Sequence, residues 1–243
     1  MIAAQAGLEA RLLVRNGEQL LLTLVIPVLL LVGFSMEHVT TTGYRGADRA
    51  DFFVPGIIAL AVISTSFTSQ AIATGFERRY GVLKRLGSTP LPRGGLIGAK
   101  ILTVAGVEAA QAAIIILVGL GLGWHPHATP AGAAWVVLLM LAGTAAFSGL
   151  ALLMAGTLRA EATLAAANLV YLVMLGIGGV LFPLEAFGAG ARHVLLLLPP
   201  GALSDGLRSV LANAGGLPVR DLAVLAVWAA AAIVLAARTF RWE

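Results

Sequence analysis

Cysteine is absent from this chain of 243 residues. Disulfides, thiolate nucleophiles and cysteine-based metal sites are thereby excluded. Charge is scarce too: 12% of residues are Asp, Glu, Lys or Arg, against about 25% in an ordinary soluble domain. Histidine occurs four times, at His38, His125, His127 and His193. His125-Pro126-His127 is the one close pair, and with no evident third ligand it reads as solvated loop residues rather than a metal site. Neither H-E-x-x-H nor the G-x-S-x-G elbow occurs, and Phe147-Ser148-Gly149 is only a polar position in an apolar run. The stretch Gly94-Gly95-Leu96-Ile97-Gly98-Ala99-Lys100 resembles a phosphate-cradling loop at a glance. Its spacing fails, no Ser or Thr follows Lys100, and it opens an apolar run, so it does not bind ATP by that route.

What is abundant is apolar side chain, 59% of the chain, with a mean hydropathy of +0.93. That is the composition of an integral membrane protein. A span needs about 20 residues, so six spans with short loops fill the length and leave no room for an ordinary soluble domain. The expected spans are 19–36, 52–75, 96–121, 133–156, 164–183 and 219–237. Glu9 and Glu18 precede the first apolar run, and that run is longer than a signal-peptide core, so the start does not read as a cleavable leader. Residues 1–18 are weakly amphipathic, with Leu8 and Leu12 on one face beside Arg11, Arg15 and Glu18, and read as an interfacial helix.

Placing the N-terminus inside puts Arg11, Arg15, Arg78, Arg79, Lys84, Arg85, Arg93, Lys100, Arg159, Arg238 and Arg241 on the inner side. Arg45, Arg49, Arg192, Arg208 and Arg220 then lie outside, and together these are all 16 basic residues. The inverted topology breaks the positive-inside bias, so both termini are expected in the cytoplasm. The net charge of +4 and the pI near 10.1 therefore read as topology and as contacts to acidic lipid or an acidic protein, not as a nucleic-acid surface. Trp124 and Trp135 flank an outer loop, where an aromatic belt is expected. The outer stretch 184–218 holds an apolar run too short to span and then Pro199-Pro200, which reads as a short or re-entrant helix pair that must be buried against protein.

Three polar features stand out. Residues 76–94 crowd basic residues into one inner loop in a defined order: Glu77, Arg78, Arg79, Gly81, Lys84, Arg85, then Thr89-Pro90. Pro90 disfavours helical geometry at Thr89, so the loop reads as a short helix with a fixed stop. Span two is rich in hydroxyls, with Ser66, Ser69, Gln70 and Ala73 as the most coherent stripe, and span five carries Asn168 and Tyr171 on one face. These serve either an amphiphile pathway or helix–helix hydrogen bonding. Finally, Glu108 is an acid deep in span three, on the helical face of Lys100, Val104 and Gln111. An intramembrane acid usually faces protein or water, and an interhelical hydrogen bond is the favoured reading over a substrate or proton contact. Small pairs at four-residue spacing, among them Ala145/Gly149, read as close packing within the chain.

Phe52-Phe53-Val54-Pro55-Gly56, then Glu77-Arg78, Gly81, Leu83-Lys84-Arg85-Leu86, Thr89-Pro90-Leu91, Arg93 and Lys100 resemble the permease subunits of type-2 ABC exporters, the group that includes daunorubicin-resistance-type drug exporters and polysaccharide exporters. Gly178-Gly179-Val180-Leu181-Phe182-Pro183-Leu184-Glu185, Leu198-Pro199 and the ending Phe240-Arg241-Trp242 also look like that family, in the expected order. The resemblance implies an all-α fold with six spans, an N-terminal interfacial helix, a cytoplasmic coupling helix between spans two and three, and short outer helices between spans five and six. It implies one permease domain over 1–243, in a bacterial cytoplasmic membrane. The coupling helix, carried over to Glu77–Leu86 and closed by Ser88-Thr89-Pro90, would dock on a separate ATPase subunit. Two permeases, identical or homologous, and two ATPases would make the working unit, with ATP and Mg on the ATPase and no cofactor in this chain. Spans two and five would line a path for a hydrophobic drug, lipid or glycolipid. Tyr80-Gly81-Val82 departs from relatives, which often carry a small or polar residue after the glycine. Competing readings are an intramembrane enzyme using Glu108 with a hydroxyl, and a membrane scaffold that recruits a partner without transport.

Overall fold

The computed structural model describes Gly7 and residues 17–36, 47–87, 93–126, 129–212 and 217–239. Most of the expected interfacial segment 1–18, together with His38, Arg45, the stop Ser88-Thr89-Pro90, His127 and the ending Phe240-Arg241-Trp242, lies outside the described residues. Among the described residues every regular element is a helix. In chain order they are α1 (Gly17–Met36), α2 (Ala47–Val62), a π-helical segment (Ile63–Ser69), α3 (Gln70–Arg79), α4 (Val82–Gly87), α5 (Arg93–Gly121), α6 (Pro130–Thr157), α7 (Ala160–Ile177), a 3₁₀ turn (Leu184–Phe187), α8 (Gly188–Leu195), α9 (Pro199–Leu211) and α10 (Val219–Thr239).

Five uninterrupted helical stretches among the described residues are long and apolar enough to cross a membrane: Arg49–Arg79, Gly94–Gly121, Pro130–Thr157, Ala160–Ile177 and Val219–Thr239. They are spans two to six. The apolar helix α1 holds the place of span one. This is an all-α integral membrane protein. The spans differ in burial: 83% of the apolar window of span two is buried inside the chain, against 17% for span five. Span two is therefore the hub of the bundle. Its Ile57, Ile58, Leu60, Val62, Ile63 and Phe67 form the centre of the core, with Phe147 and Leu139 of α6 and Leu203 of α9 packed among them.

Local chemistry sets the ends. Thr129 is extended and its side chain accepts from the Gly132 N–H at 3.1 Å, with Pro130 at the first helical turn, so α6 starts three residues before the expected position. Span five, expected to run to 183, stops at Ile177. A Cβ on Gly178 would collide with Met174 O of its own helix, and Gly179 takes a positive φ of 72°, a conformation open to glycine. α6 and α10 lie along each other, and a Cβ on Gly149 would come within 2.8 Å of Ala232 Cβ. The small residue at 149 thus serves packing within the chain, as its spacing suggested.

The stretch after span five is the expected helix pair. Leu184–Leu195 and Pro199–Leu211 meet at 113°, with Pro199 and Pro200 at the start of α9. α9 is buried nearly throughout against α2, α6 and α10, which satisfies the requirement that such a segment be covered by protein. Other expectations need correction too. Trp124 does not join an interfacial belt: it is 1% exposed, folded back by its N–H to Gly119 O and packed beside Gly119 near Val54. Gly119 leaves the room the indole needs, so packing within the chain outweighs the headgroup region for this ring. And residues 77–86 are not one helix, as set out next.

Candidate functional site

Span two ends at Arg79, and the chain turns at Tyr80-Gly81 before α4. The expected coupling helix Glu77–Leu86 is thus broken, because Gly81 adopts φ +71° and an α-helix cannot continue through that conformation. Tyr80 N–H is held by Phe76 O at 2.9 Å and Gly81 N–H by Arg78 O at 3.0 Å, which closes the end of α3. The Phe76 and Tyr80 rings stack at 6.1 Å.

The break sorts the residues of the motif into two groups. Those before the Tyr80-Gly81 turn are tied to the bundle. Lys100 Nζ contacts both oxygens of Glu77, at 2.8 and 3.1 Å, and Lys100 is only 4% exposed, so spans two and three are clamped by a partly buried ion pair. Arg78 donates to the Leu158 carbonyl, and Arg79 pairs with Glu161; both hold span two to the α6–α7 junction. The turn and the residues after it face both ways. Leu83 is fully buried in a cluster with Leu96, Ile97, Leu152 and Ala236, which anchors α4 to spans three, four and six. Tyr80 (69% exposed), Val82, Lys84 and Arg85 lie on the exposed surface of the hairpin. The hairpin therefore presents an apolar and basic surface on a firm base.

A polar seam crosses the middle of the bundle. Thr65 donates to Gln111 Oε1 at 3.0 Å, Ser148 donates to Gln70 Oε1 at 2.7 Å, and Thr144 donates to Glu108 Oε2. Ser66 lies beside the same carboxyl while donating to Val62 O at 2.5 Å. Glu108 is 1% exposed, and the interhelical hydrogen bond expected of it is present. Lys100, Val104 and Gln111, expected on its face, are buried with it.

The expected stripe on span two is split. Ser66 and Gln70 are buried in the seam, whereas Ser69 and Ala73 are half-buried. The seven-residue π segment is the cause: its wider turn rotates positions that an α-helical wheel would align. Asn168 is exposed and donates to its own helix at Leu164 O, 2.8 Å. Tyr171 is half-buried next to Ser64 of span two. The structure thus brings Tyr171 to span two, through Ser64 rather than through Ser66 or Gln70.

At the end of the bundle opposite the hairpin, Arg208 of α9 does what no single sequence signal announced. Its guanidinium donates to Phe52 O at 3.2 Å, to Gly179 O and to Val180 O at 3.4 Å, and lies 3.8 Å over the Phe52 ring. A Cβ on Gly56 would sit 2.9 Å from Arg208 Nη2 and 3.0 Å from Val180 O. The separate strings 52–56 and 178–185 therefore meet around one arginine, joined by Ser204 donating to Gly178 O at 2.6 Å. Arg208 read from the sequence as one more outer charge; its position in a short buried helix was the only available signal.

A family model described as ABC-2 family transporter protein matches residues 35–238. No curated protein matches the chain. The match covers most of the sequence, so the chain belongs to the ABC-2 transporter family. It is a multi-pass membrane protein of a family whose chains are transport subunits of ABC transporters and not catalytic alone, and membership implies an ATPase partner.

Proposed function

We propose that this ABC-2 family chain is the membrane half of an ATP-driven exporter, of the kind its sequence resembles among drug exporters, moving a hydrophobic or amphiphilic molecule outward. The observation that carries the reading is the hairpin at 76–87. Tyr80, Val82, Lys84 and Arg85 offer a mixed apolar and basic surface, while Leu83, Lys100 and Glu77 fix that surface to spans two, three, four and six. A force applied there reaches the bundle without being absorbed by a loose loop. The charges suit an acidic groove on an ATPase, and Arg78 and Arg79 pass displacement on to the α6–α7 junction.

In this reading the hairpin end faces the cytoplasm, both termini lie there, and the membrane is the bacterial cytoplasmic one. Two ATPase subunits, carrying ATP and Mg, close on ATP and push two hairpins. A second permease, identical or homologous, packs so that spans two and five of the two copies enclose the path. The exposed face of span five supports this arrangement, with Asn168, Leu169 and Leu172 directed away from the chain's own core and Ser69 and Tyr171 at its border. Closure shifts the cavity only if ATP binds the two states with different affinity.

The test is co-purification of the tagged chain with its ATPase from native membranes, followed by Lys84→Glu/Arg85→Glu. Both side chains are exposed, so the fold is expected to survive. Recovery of the ATPase should fall at least ten-fold and amphiphile-stimulated hydrolysis should disappear. Unchanged recovery and turnover sink the coupling role of the hairpin. Recovery without substrate-stimulated hydrolysis in the unaltered protein selects a scaffold, and nucleotide-free turnover of a lipid or peptide that is lost in Glu108→Gln selects an intramembrane enzyme.

A further inference from the structure

A cavity of about 430 Å³ lies between α5 and α6, with Ile58 of span two and Leu211 of α9 also lining it. Its size is that of a small-molecule pocket. Ala105, Ala109, Ala112 and Ala113 make the α5 wall, and these short side chains are what leaves the space. Val137 and Leu141 of α6, with Ala109 and Ala113, are exposed at its rim, so it opens sideways, toward lipid. Glu108 and Thr144 close it at mid-span, and Trp124 lines it toward the other end.

Two lining residues each carry a buried polar atom with no hydrogen-bond partner among the described residues. One is Glu108 Oε1, the acceptor left over after Thr144 takes Oε2. The other is the Trp124 indole Nε1. An unsatisfied polar atom in an apolar medium costs several kcal/mol, and the described residues satisfy neither of these two. Along α5 the rise from Glu108 to Gly119, where the Trp124 ring packs, is about 16 Å.

We propose that this cavity binds an amphiphilic primary amine, with the amine donating to Glu108 Oε1 and the alkyl or ring body lying along the alanine wall toward Trp124. A carboxyl in an apolar cleft selects a donor or cation over an acid. The site takes a free amphiphile rather than a phospholipid headgroup: Glu108 is about 20 Å from either end of its helix, beyond the reach of an ammonium held at the membrane surface. An oxygen at the far end of the ligand would meet Trp124 Nε1. The site is separate from the hairpin and does not depend on the exporter reading.

The experiment uses the full chain in phosphatidylcholine nanodiscs, with Trp135→Phe, Trp228→Phe and Trp242→Phe leaving Trp124 as the fluorophore. The probe is 12-bromododecylamine, whose bromine quenches Trp124 when the amine sits at Glu108. Quenching should saturate, compete with plain dodecylamine, and weaken at least ten-fold in apparent Kd in Glu108→Gln. Ala113→Phe fills the cavity from an exposed position, leaves folding intact by thermal melting, and should abolish the saturable phase. Quenching that never saturates, a shift below ten-fold in a folded Glu108→Gln, or saturation retained in Ala113→Phe overturns the site.

Discussion

Glu77, near the end of span two, and Lys100, near the start of span three, form an ion pair at 2.8 Å across the base of the hairpin. The lysine side chain is 5% exposed and the glutamate 30%. The two partners are thus unequally wet, and their removal should be unequal in cost. Glu77→Gln takes the countercharge from a buried ammonium, whereas Lys100→Met leaves a carboxylate that water reaches. Glu77→Gln is expected to cost about 2 kcal/mol, below the 3–5 of a fully buried pair because of the partial exposure, with Lys100→Met costing less. Thermal melting in mild detergent checks the order, and the double variant should recover part of the loss.

The turn at Gly81 separates the fixed half of the motif from the presented half. Gly81→Ala forces a side chain into φ +71°, a strain of about 1–2 kcal/mol, although the space around it is open. Leu83→Ala empties the anchor under α4 and should cost about 2–5 kcal/mol. Proteolysis at 82–87 should accelerate in both variants, and unchanged protection in Leu83→Ala would contradict the anchoring.

Arg208 holds three carbonyls and one aromatic face. Arg208→Met should destabilise by about 3 kcal/mol, since charged hydrogen bonds contribute about 1.5–3 each but the freed carbonyls partly find other partners. Gly56→Ala should cost about 1–3 kcal/mol by overpacking and should be milder in an Arg208→Met background, which removes the atom its Cβ meets at 2.9 Å. Purely additive melting shifts would argue against that contact.

The seam in the middle of the bundle should be individually weak. Interhelical hydrogen bonds in membranes average about 0.6 kcal/mol and rarely pass 1.7. Ser148→Ala and Thr65→Val are each expected in that range, measured by double-mutant cycles with Gln70→Leu and Gln111→Leu. A coupling well above it would mean that the seam does more than join helices.

Much of this was legible in the chain because a membrane imposes simple rules. Length and apolarity located the spans, since about 20 residues must cross the lipid. The helix pair at 184–211 followed from an apolar run too short to span and from Pro199-Pro200. The deep placement of Glu108 and its helical face followed from the α repeat alone. Each of these depends only on local composition and period, and the sequence carries both.

What only the tertiary structure decided depends on distances between segments far apart in the chain. The π segment at 63–69 diverted Ser66 and Gln70 into the seam, because one wide turn resets every later angle and no residue type announces it. The positive φ at Gly81 divided a motif that reads as one helix. Trp124 left the expected belt because Gly119 gave it room inside. The meeting of Phe52, Gly56, Gly179 and Arg208, and the cavity left between the alanines of α5 and the face of α6, exist only once the helices are packed: side-chain spacing fixes which residues share a face, but not which face meets which.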